Sequence, residues 1–515
     1  MKLGNLIREA PAGGMLLAAL AVLCTLYAGP ANAASEPGTV TIVLVAEPPS
    51  LDPGENTRSI EGQVLMRNIV ETLTESNPAD SSIMPRLATA WKQIDARTWQ
   101  FSLRKGVKFH DGKDFDAEAV LFNFKRLYDK SITSETRNKF FSGIQVEAKA
   151  LDSHTVEIKT SRPEPLLPTL MGLMAMCSPG TPLGKLVRDP VGTGPYRFVK
   201  WDAGMQIVVE RFDGYWGKQP PVKKGVYVWR KESSVRASMV LLGEADLSPY
   251  IAATDAKRPD MDYNYLDSET TVIRIGGEWE PPLNDRRVRL ALNYALDRNG
   301  MRGSILSKDV VPATQQVVPS IFGHNPDLKV WPYDPQKARQ LLDEAKKDGV
   351  PVDKEILIVG RIGRFPGDQE LMEAVMTMYK AVGLNVKLKF FEAAGYRPYQ
   401  GKPYPKNVGP YIVLISSDNN RGDAAFTVFF KYHCKGAHSV ICDKTMDELI
   451  EKAQVATGEE RRKLWQAAFK RVHEDIVPEV MLYHMVGYAR VGKRIDFKPS
   501  IVTTCEIQLA HLTFR

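Results

Sequence analysis

From about residue 235 to its end, the sequence alternates strand-like segments with helical ones. Residues 385–391 and 411–415 are rich in β-branched and aromatic residues, whereas residues 335–347 and 444–456 have helical periodicity. Such alternation is typical of α/β layers, in which helices cover a sheet. The 515 residues exceed what one hydrophobic core serves, since cores stop growing near roughly 250–300 residues. The sequence therefore predicts an α/β fold of at least two lobes.

The N-terminus has the three-part layout of a secretory signal peptide. Lys2 and Arg8 give a positive start, and an apolar run covers residues 15–28. The run is too short for a stable membrane anchor. Ala31-Asn32-Ala33 then offers small residues before a cut at Ala34. We expect residues 1–33 to be removed and the mature protein to be soluble and exported to the periplasm.

Cysteine placement fits an oxidising compartment. Cys24 suggests a lipoprotein, but it lies inside the apolar run behind Leu23, where a small residue is needed. Cys434 and Cys442 flank a short loop, for which a disulfide is the leading assignment. The alternative is a zinc site, because His433 and His438 lie beside these cysteines, although the spacing matches no usual ligand pattern. Two further cysteines, at positions 177 and 505, have no assigned role.

The composition and motifs argue against nucleic-acid binding and catalysis. The net charge of +7 is a mild bias in so long a chain, and no block of like charges stands out. We find no Gly-x-Ser-x-Gly, Cys-x-x-Cys or phosphate-loop motif. His473-Glu474 lacks the second histidine of a metalloprotease, because Val477 occupies that place. His110-Asp111 is a possible catalytic dyad, but its position at a turn favours a structural pair. The sequence thus predicts a protein that is not an enzyme and needs no cofactor or metal, with a secreted hydrolase as the remote alternative.

Several segments, in order along the chain, carry a family resemblance. The strongest is TWQFSLRKGVKFHDG at residues 98–112, followed by FDAEAV at 115–120. Others are PSLDP at 49–53, PRLATAW at 85–91, GTGPY at 192–196 and DRRVRLALNYALDR at 285–298. With these segments the chain resembles the extracellular solute-binding proteins of family 5, which include the dipeptide-, oligopeptide- and nickel-binding components of ABC importers.

The resemblance implies a two-lobed periplasmic-binding-protein fold (type II-like) that closes on a ligand, with an extra domain on the first lobe. The chain would cross between the lobes near residues 266–276 and 484–491. The implied organisation is a signal peptide at 1–33, first-lobe segments at 34–76, 190–270 and 486–515, an extra domain at 77–189, and a second lobe at 271–485.

The resemblance also implies ligand-binding residues. In peptide-binding members, an acidic residue in a late loop holds the α-ammonium of the peptide, and Asp418 falls at that position, next to Ser417 and Asn419. The alternative role for Asp418 is a turn cap. Ile415 stands where an aromatic residue often covers the ligand, which departs from the peptide pattern. The candidates for binding a carboxylate, because arginine does so bidentately, are Arg361, Arg364 and Arg58.

The predicted function is capture of a peptide or related amine-bearing small molecule for the permease of an ABC importer in the inner membrane. The protein is expected to act as a monomer. A sugar, an opine, a metal chelate or haem are alternative cargoes, and presentation of ligand to a chemoreceptor is an alternative role.

Overall fold

One sheet of eleven strands runs through most of the structure. The computed structural model describes residues 36–55, 59–277, 279–419, 422–503 and 506–515, and its helices and strands all belong to the unit Gly38–Arg515. The predicted signal peptide, its cleavage site, Arg58 and Cys505 lie outside the described residues.

The elements follow the alternation predicted from the sequence. The strands are β1 Thr39–Leu44, β2 Thr74–Ser76, β3 Ile83–Pro85, β4 Ala88–Asp95, β5 Thr98–Leu103, β6 Val146–Asp152, β7 Thr155–Thr160, β8 Tyr196–Asp202, β9 Gln206–Arg211, β10 Lys224–Trp229, β11 Leu247–Ile251, β12 Asp262–Ile275, β13 Val311–Pro312, β14 Ile356–Arg361, β15 Val386–Phe391, β16 Tyr411–Asp418, β17 Glu479–Val491, β18 Ile495–Asp496 and β19 Thr513–Phe514. The helices are α1 Ile60–Met66, α2 Ala117–Leu127, α3 Glu135–Phe140, α4 Leu167–Met171, α5 Ser233–Leu242, α6 Arg286–Tyr294, α7 Arg298–Met301, α8 Pro335–Lys347, α9 Asp368–Ala381, α10 Ala393–Tyr396, α11 Ala425–Tyr432, α12 Lys444–Val455 and α13 Gly458–Lys470.

Two long antiparallel strands, β12 and β17, join the halves of the large sheet. The strand order is β15-β14-β16-β12-β17-β11-β1-β10-β9-β8, with β13 beside β17. We call the half with β1 and β8–β11 the first lobe, and the half with β13–β16 and α6–α13 the second lobe. The register of β12 against β17 shifts between Leu266 and Thr270. This irregularity lies where the two strands pass from one lobe to the other.

The first lobe is completed by the far end of the sequence. Asn68, fully buried after α1, donates from Nδ2 to the carbonyl of Ile507 (2.8 Å) and accepts from the Leu509 amide (2.7 Å). The GTGPY segment passes closely against this part of the chain. A Cβ on Gly192 would lie 2.1 Å from the Ile69 carbonyl oxygen. Only glycine permits so close an approach.

His110 supports the same crossing. Its Nδ1 accepts a hydrogen bond from the Gly192 amide (3.3 Å) and its Nε2 lies 2.9 Å from the Gly194 carbonyl. The pattern is that of a neutral imidazole donating from Nε2, and burial lowers the pKa of His110 to about 4. His110 therefore has a structural role.

A separate sheet has four strands in the order β4-β5-β7-β6. We call this sheet, with α2–α4, the extra domain. Its apolar core includes Phe101, Phe109, Val120 and Ile158. Arg126 of α2 makes a bidentate ion pair with Asp52 of the PSLDP loop, at 3.0 and 2.6 Å. Both side chains are buried, so the pair ties the extra domain to the first lobe.

Two local predictions are wrong. The apolar periodicity of residues 63–73 predicts a helix, but α1 ends at Met66, because the Asn68 side chain donates to the carbonyl of Val64 (3.0 Å) and to that of Ile507. The sequence at 107–110 predicts a strand paired with β5. Both edges of β5 are already occupied by β4 and β7, and the Phe109 amide instead donates to Lys113 in a local turn.

The disulfide prediction is confirmed. Cys434 and Cys442 are bonded to each other, with their Cα atoms 4.4 Å apart. Both sulfur atoms are therefore part of the disulfide, which excludes the zinc site considered for this loop. Cys177 is a buried free thiol, and burial raises its pKa to about 11. None of the helices among the described residues is long and apolar enough to cross a membrane.

Candidate ligand-binding site

Three carboxylates meet where the chain passes between the lobes. Glu269 of β12 is the register partner of Asp418, the last residue of β16, so the two side chains project from the same face of the sheet. The Glu269 amide donates to Oδ1 of Asp267 at 2.6 Å. We call Asp267, Glu269 and Asp418 the hinge triad.

The triad is electrostatically strained. Burial, followed by the charges of Glu269 and Asp418, raises the pKa of Asp267 to about 7. Burial also raises the pKa of Glu269, and Asp418 adds to that shift. On the first-lobe side, burial together with Asp267 and Glu269 raises the pKa of Tyr250 in β11. Burial is the main cause of these shifts and the neighbouring carboxylates add to them, so a positive charge brought to this place would favour the ionised carboxylates.

Arg364 is held beside this triad by the strand that carries Asp418. Its Nε donates to Ser416 Oγ (3.0 Å), its Nη2 donates to the Ser416 carbonyl (2.9 Å), and its charge opposes the rise in the pKa of Glu269. The backbone amide of Arg364 is fixed by Asp368 at 2.6 Å. The structure thus brings a guanidinium and an acidic cluster to one end of β16.

The other predicted residues have different positions. Asp418 is exposed, whereas Ser417 is 8% exposed and its Oγ has no hydrogen-bond partner among the described residues. Asn419 is fully buried and donates to Thr427 Oγ1 at 2.8 Å, which fixes the end of β16 to α11. Ile415 is 3% exposed and packs in an apolar cluster with Val272 and Tyr396.

Arg361 ends β14, opposite Phe391 of β15. Its Nε is buried and makes no hydrogen bond within the described part of the chain. Arg361, Arg364 and Arg274 all lie close enough to Tyr396 to oppose the rise in its pKa. Arg361 and Arg364 are therefore in one neighbourhood, although only Arg364 is held against β16.

A buried polar cluster in the second lobe escaped the sequence analysis. Lys431 of α11 is 9% exposed, and burial, reinforced by Arg274, lowers its pKa to about 7. Nearby Glu479 accepts hydrogen bonds from Tyr432 and Gln316, and burial raises its pKa. Nothing in the spacing of these residues, which come from four distant segments, indicates that they meet.

Comparison with known proteins decides the family. The family described as "Bacterial extracellular solute-binding proteins, family 5 Middle" matches residues 82–435. The chain belongs to this family. Its function is accordingly solute binding, and the fold prediction is confirmed by structural neighbours with the same two-lobed architecture, such as HbpA2 from Haemophilus parasuis. That structure has a TM-score of 0.81 at 20% identity and covers 93% of this chain and 100% of that one.

Curated relatives are also named as binding proteins. The dipeptide-binding protein of Escherichia coli (strain K12) is 28% identical over 467 residues, which cover 82% of this chain and 85% of the relative. Heme-binding protein A of Haemophilus influenzae (strain ATCC 51907 / DSM 11121 / KW20 / Rd) is 27% identical over 464 residues, covering 83% and 84%. The cargoes named for these relatives differ widely, so the cargo has to be argued from the site.

Asp267 and Glu269 belong to the candidate site but were not predicted from the sequence. Residues 266–276 were expected to cross between the lobes, and Asp267-Ser268-Glu269 lies at the start of that stretch. Acidic residues in a strand that changes lobes are a usable signal, because β-strand interiors rarely contain them.

Proposed function

We propose that this protein captures a solute bearing a cationic amine, a peptide or a related compound, between its two lobes. It then delivers the solute to the permease of an ABC importer. The observation that carries this proposal is the hinge triad. The half-buried carboxylates of Asp267 and Glu269 lie beside the exposed carboxylate of Asp418, and a bound ammonium group would favour their charged forms.

A peptide-like cargo also needs a partner for its carboxylate. The planar guanidinium of Arg364 lies against the end of β16 that carries Asp418. Arg361 lies nearby, and its buried Nε has no hydrogen-bond partner among the described residues. Arginine is well suited to bidentate carboxylate binding. The E. coli relative is named for dipeptides, which agrees with a cargo carrying both charges.

The cellular location of the protein follows from the proposed signal peptide. Removal of residues 1–33 would leave a mature chain starting at Ala34 in the periplasm, where the Cys434–Cys442 disulfide is stable. Mass spectrometry of the periplasmic form should find Ala34 as the first residue. Retention of residues before Ala31 would contradict the proposed cleavage.

The substitution Asp418→Asn tests the cargo assignment. Closure of the lobes on the cargo would bury the pair of Asp418 with the ammonium group. Removing the carboxylate while keeping its shape should then weaken the binding of an amine-bearing cargo by roughly thirty- to several-thousand-fold, since removing one partner of a buried charge pair costs about 2–5 kcal/mol. The cargo is first identified by mass spectrometry of protein purified without denaturation. Titration calorimetry then compares the affinities of the variant and the native protein.

Asp353→Asn is the matched control, because Asp353 is a largely exposed carboxylate of the second lobe, ion-paired with Lys346 (3.0 Å). It should bind the cargo as the native protein does. An affinity change below about threefold for Asp418→Asn, with an unchanged melting curve, would remove Asp418 from the site and leave it the role of a turn residue.

A further inference from the structure

Two cavities separate the extra domain from the second lobe. The first has a volume of about 430 Å³ and the second about 550 Å³. Leu166 of the extra domain and Arg461 of the second lobe line both. We call the two cavities together the aromatic compartment. Each has the size of a small-molecule site, and such sites are common between domains.

The walls of this compartment are mostly apolar and aromatic. Phe140 of the extra domain faces three phenylalanines on one side of α11, which are Phe426, Phe429 and Phe430. The second cavity adds Trp91, Trp99 and Phe322. Large rings with exposed faces supply much contact area for a flat ligand, and aromatic pairs add a further attraction.

Part of this apolar surface remains exposed to water. Phe430 is 40% exposed and Val455 is 59% exposed, and both line the first cavity. Clustered apolar side chains at a cleft commonly mark a ligand or partner site, whereas single ones do not. The cluster on α11 is therefore a candidate binding surface for a ligand.

Direct contacts keep the two walls close together. Ser81 Oγ donates to the Ser320 carbonyl at 2.7 Å, and the rings of Phe140 and Phe426 meet edge to face at 6.4 Å. Arg461 is neutralised by a buried ion pair with Asp423 (3.0 Å). The walls therefore lie close enough to hold a ligand from both sides.

The compartment is linked to the hinge triad through α11. Asn419, the residue after Asp418, donates to Thr427 of that helix. Helical spacing places Phe426 and Phe430, four residues apart, on a common side, and Asp423, a few residues after Asp418, lines the second cavity. The helix that supplies wall residues of the compartment is thus packed against the strand end that bears Asp418.

We propose that the aromatic compartment binds a flat apolar part of the cargo, so that the protein selects elongated solutes with a cationic group at one end and an aromatic or apolar group at the other. This inference rests on the proposed function for its cationic end. The cations Lys139, Arg162 and Arg462 line the walls. Each is paired with a carboxylate, Lys139 with Glu135 (3.5 Å), Arg162 with Glu164 (3.8 Å) and Arg462 with Glu459 (3.2 Å), so the compartment suits an uncharged apolar part.

A fluorescent dye tests the compartment without any knowledge of the cargo. Anilinonaphthalene sulfonate is flat, apolar and anionic, and its emission rises when it leaves water. It should bind the native protein at one site. Phe430→Ala should weaken that binding about three- to tenfold, the usual effect of losing one aromatic contact. Leu166→Trp, which places a larger ring at a residue that lines both cavities, should weaken it at least about tenfold.

Phe514→Ala is the matched control for the first variant, since Phe514 is 37% exposed on β19, away from the compartment. Leu151→Trp matches the second, because Leu151 is 43% exposed on β6 of the same domain. Both controls should bind dye like the native protein. Equal dye binding by all variants would show adventitious surface binding and overturn the proposal.

Mass spectrometry of the co-purified cargo distinguishes failure of this inference from failure of the proposed function. If the inference holds, Leu166→Trp should lose the native cargo or exchange it for a smaller one. Retention of the same cargo with native affinity would overturn the inference and leave the role of Asp418 intact. A cargo without any amine, displaced by the dye and unaffected by Asp418→Asn, would overturn the proposed function while supporting the compartment.

Discussion

The hinge triad lowers the free energy of unfolding. Replacing Asp267 with asparagine measures by how much. The pKa of Asp267 is raised from 3.8 to about 7. At 1.36 kcal/mol per pKa unit, this corresponds to at most about 4 kcal/mol of destabilisation when the carboxylate is charged. Because the side chain is partly solvated, we expect the measured gain of Asp267→Asn to be about 2–3 kcal/mol.

The sign of this effect depends on pH. An acid with a raised pKa destabilises the folded state fully above that pKa, and the cost fades as the pH falls through about 7 towards 3.8. Asp267→Asn should therefore raise the unfolding free energy at about pH 8 and change it little at about pH 4. Asparagine retains an acceptor for the Glu269 amide, so the local hydrogen bond survives the change.

Chemical denaturation at the two pH values, followed by circular dichroism, measures the difference. Asp260→Asn is the control, since the pKa of Asp260 is lowered by its hydrogen bond with Arg258, and its replacement should bring no gain at alkaline pH. If Asp267→Asn were no more stable than the native protein at alkaline pH, the triad would not be strained, and the electrostatic argument for a cationic cargo would fail.

Three further changes test the framework. Asp52→Ala should lower the unfolding free energy by about 3–5 kcal/mol, because it leaves the buried charge of Arg126 uncompensated, and a loss below about 1 kcal/mol in denaturant titration would contradict this. Gly192→Ala should prevent native folding or lower the melting temperature strongly, since its Cβ would lie 2.1 Å from a carbonyl oxygen; a native melting curve would refute the close approach. Cys434→Ser should cost about 2–3 kcal/mol by releasing a short loop, and reduction of the native protein should produce the same loss, whereas no response to reductant would show that the bond contributes nothing.

Sequence patterns predicted the regular parts of the fold because those parts depend on local periodicity. The helices α8 and α12 and the strand β15 lie within a residue of the positions predicted for them, 335–347, 444–456 and 385–391. In contrast, β4 has a mostly exposed surface without clear alternation, and no strand was predicted there. The early end of α1 depends on Asn68 bonding to Ile507, a contact that no local pattern indicates.

The candidate site was predicted only in part, for the same reason. Asp418 and Arg364 were found through family resemblance, and the structure places both at the end of β16. Asp267 and Glu269 gain their significance from the register shift in β12, which the sequence does not indicate. The aromatic compartment depends on Phe140 meeting Phe426, two residues that are far apart in the chain.

The shared strand β17 also determines when the molecule can finish folding during its synthesis. β11 and β12 pair with β17, whose residues are made after almost all the others, and Asn68 finds its partners only once Ile507 and Leu509 have emerged. Until then the strands that will pair with β17 have unpaired backbone groups in both lobes, and chaperones bind such exposed edges. Such long-range pairing also folds slowly. A nascent chain of this topology consequently remains unfolded until its last segments have been made.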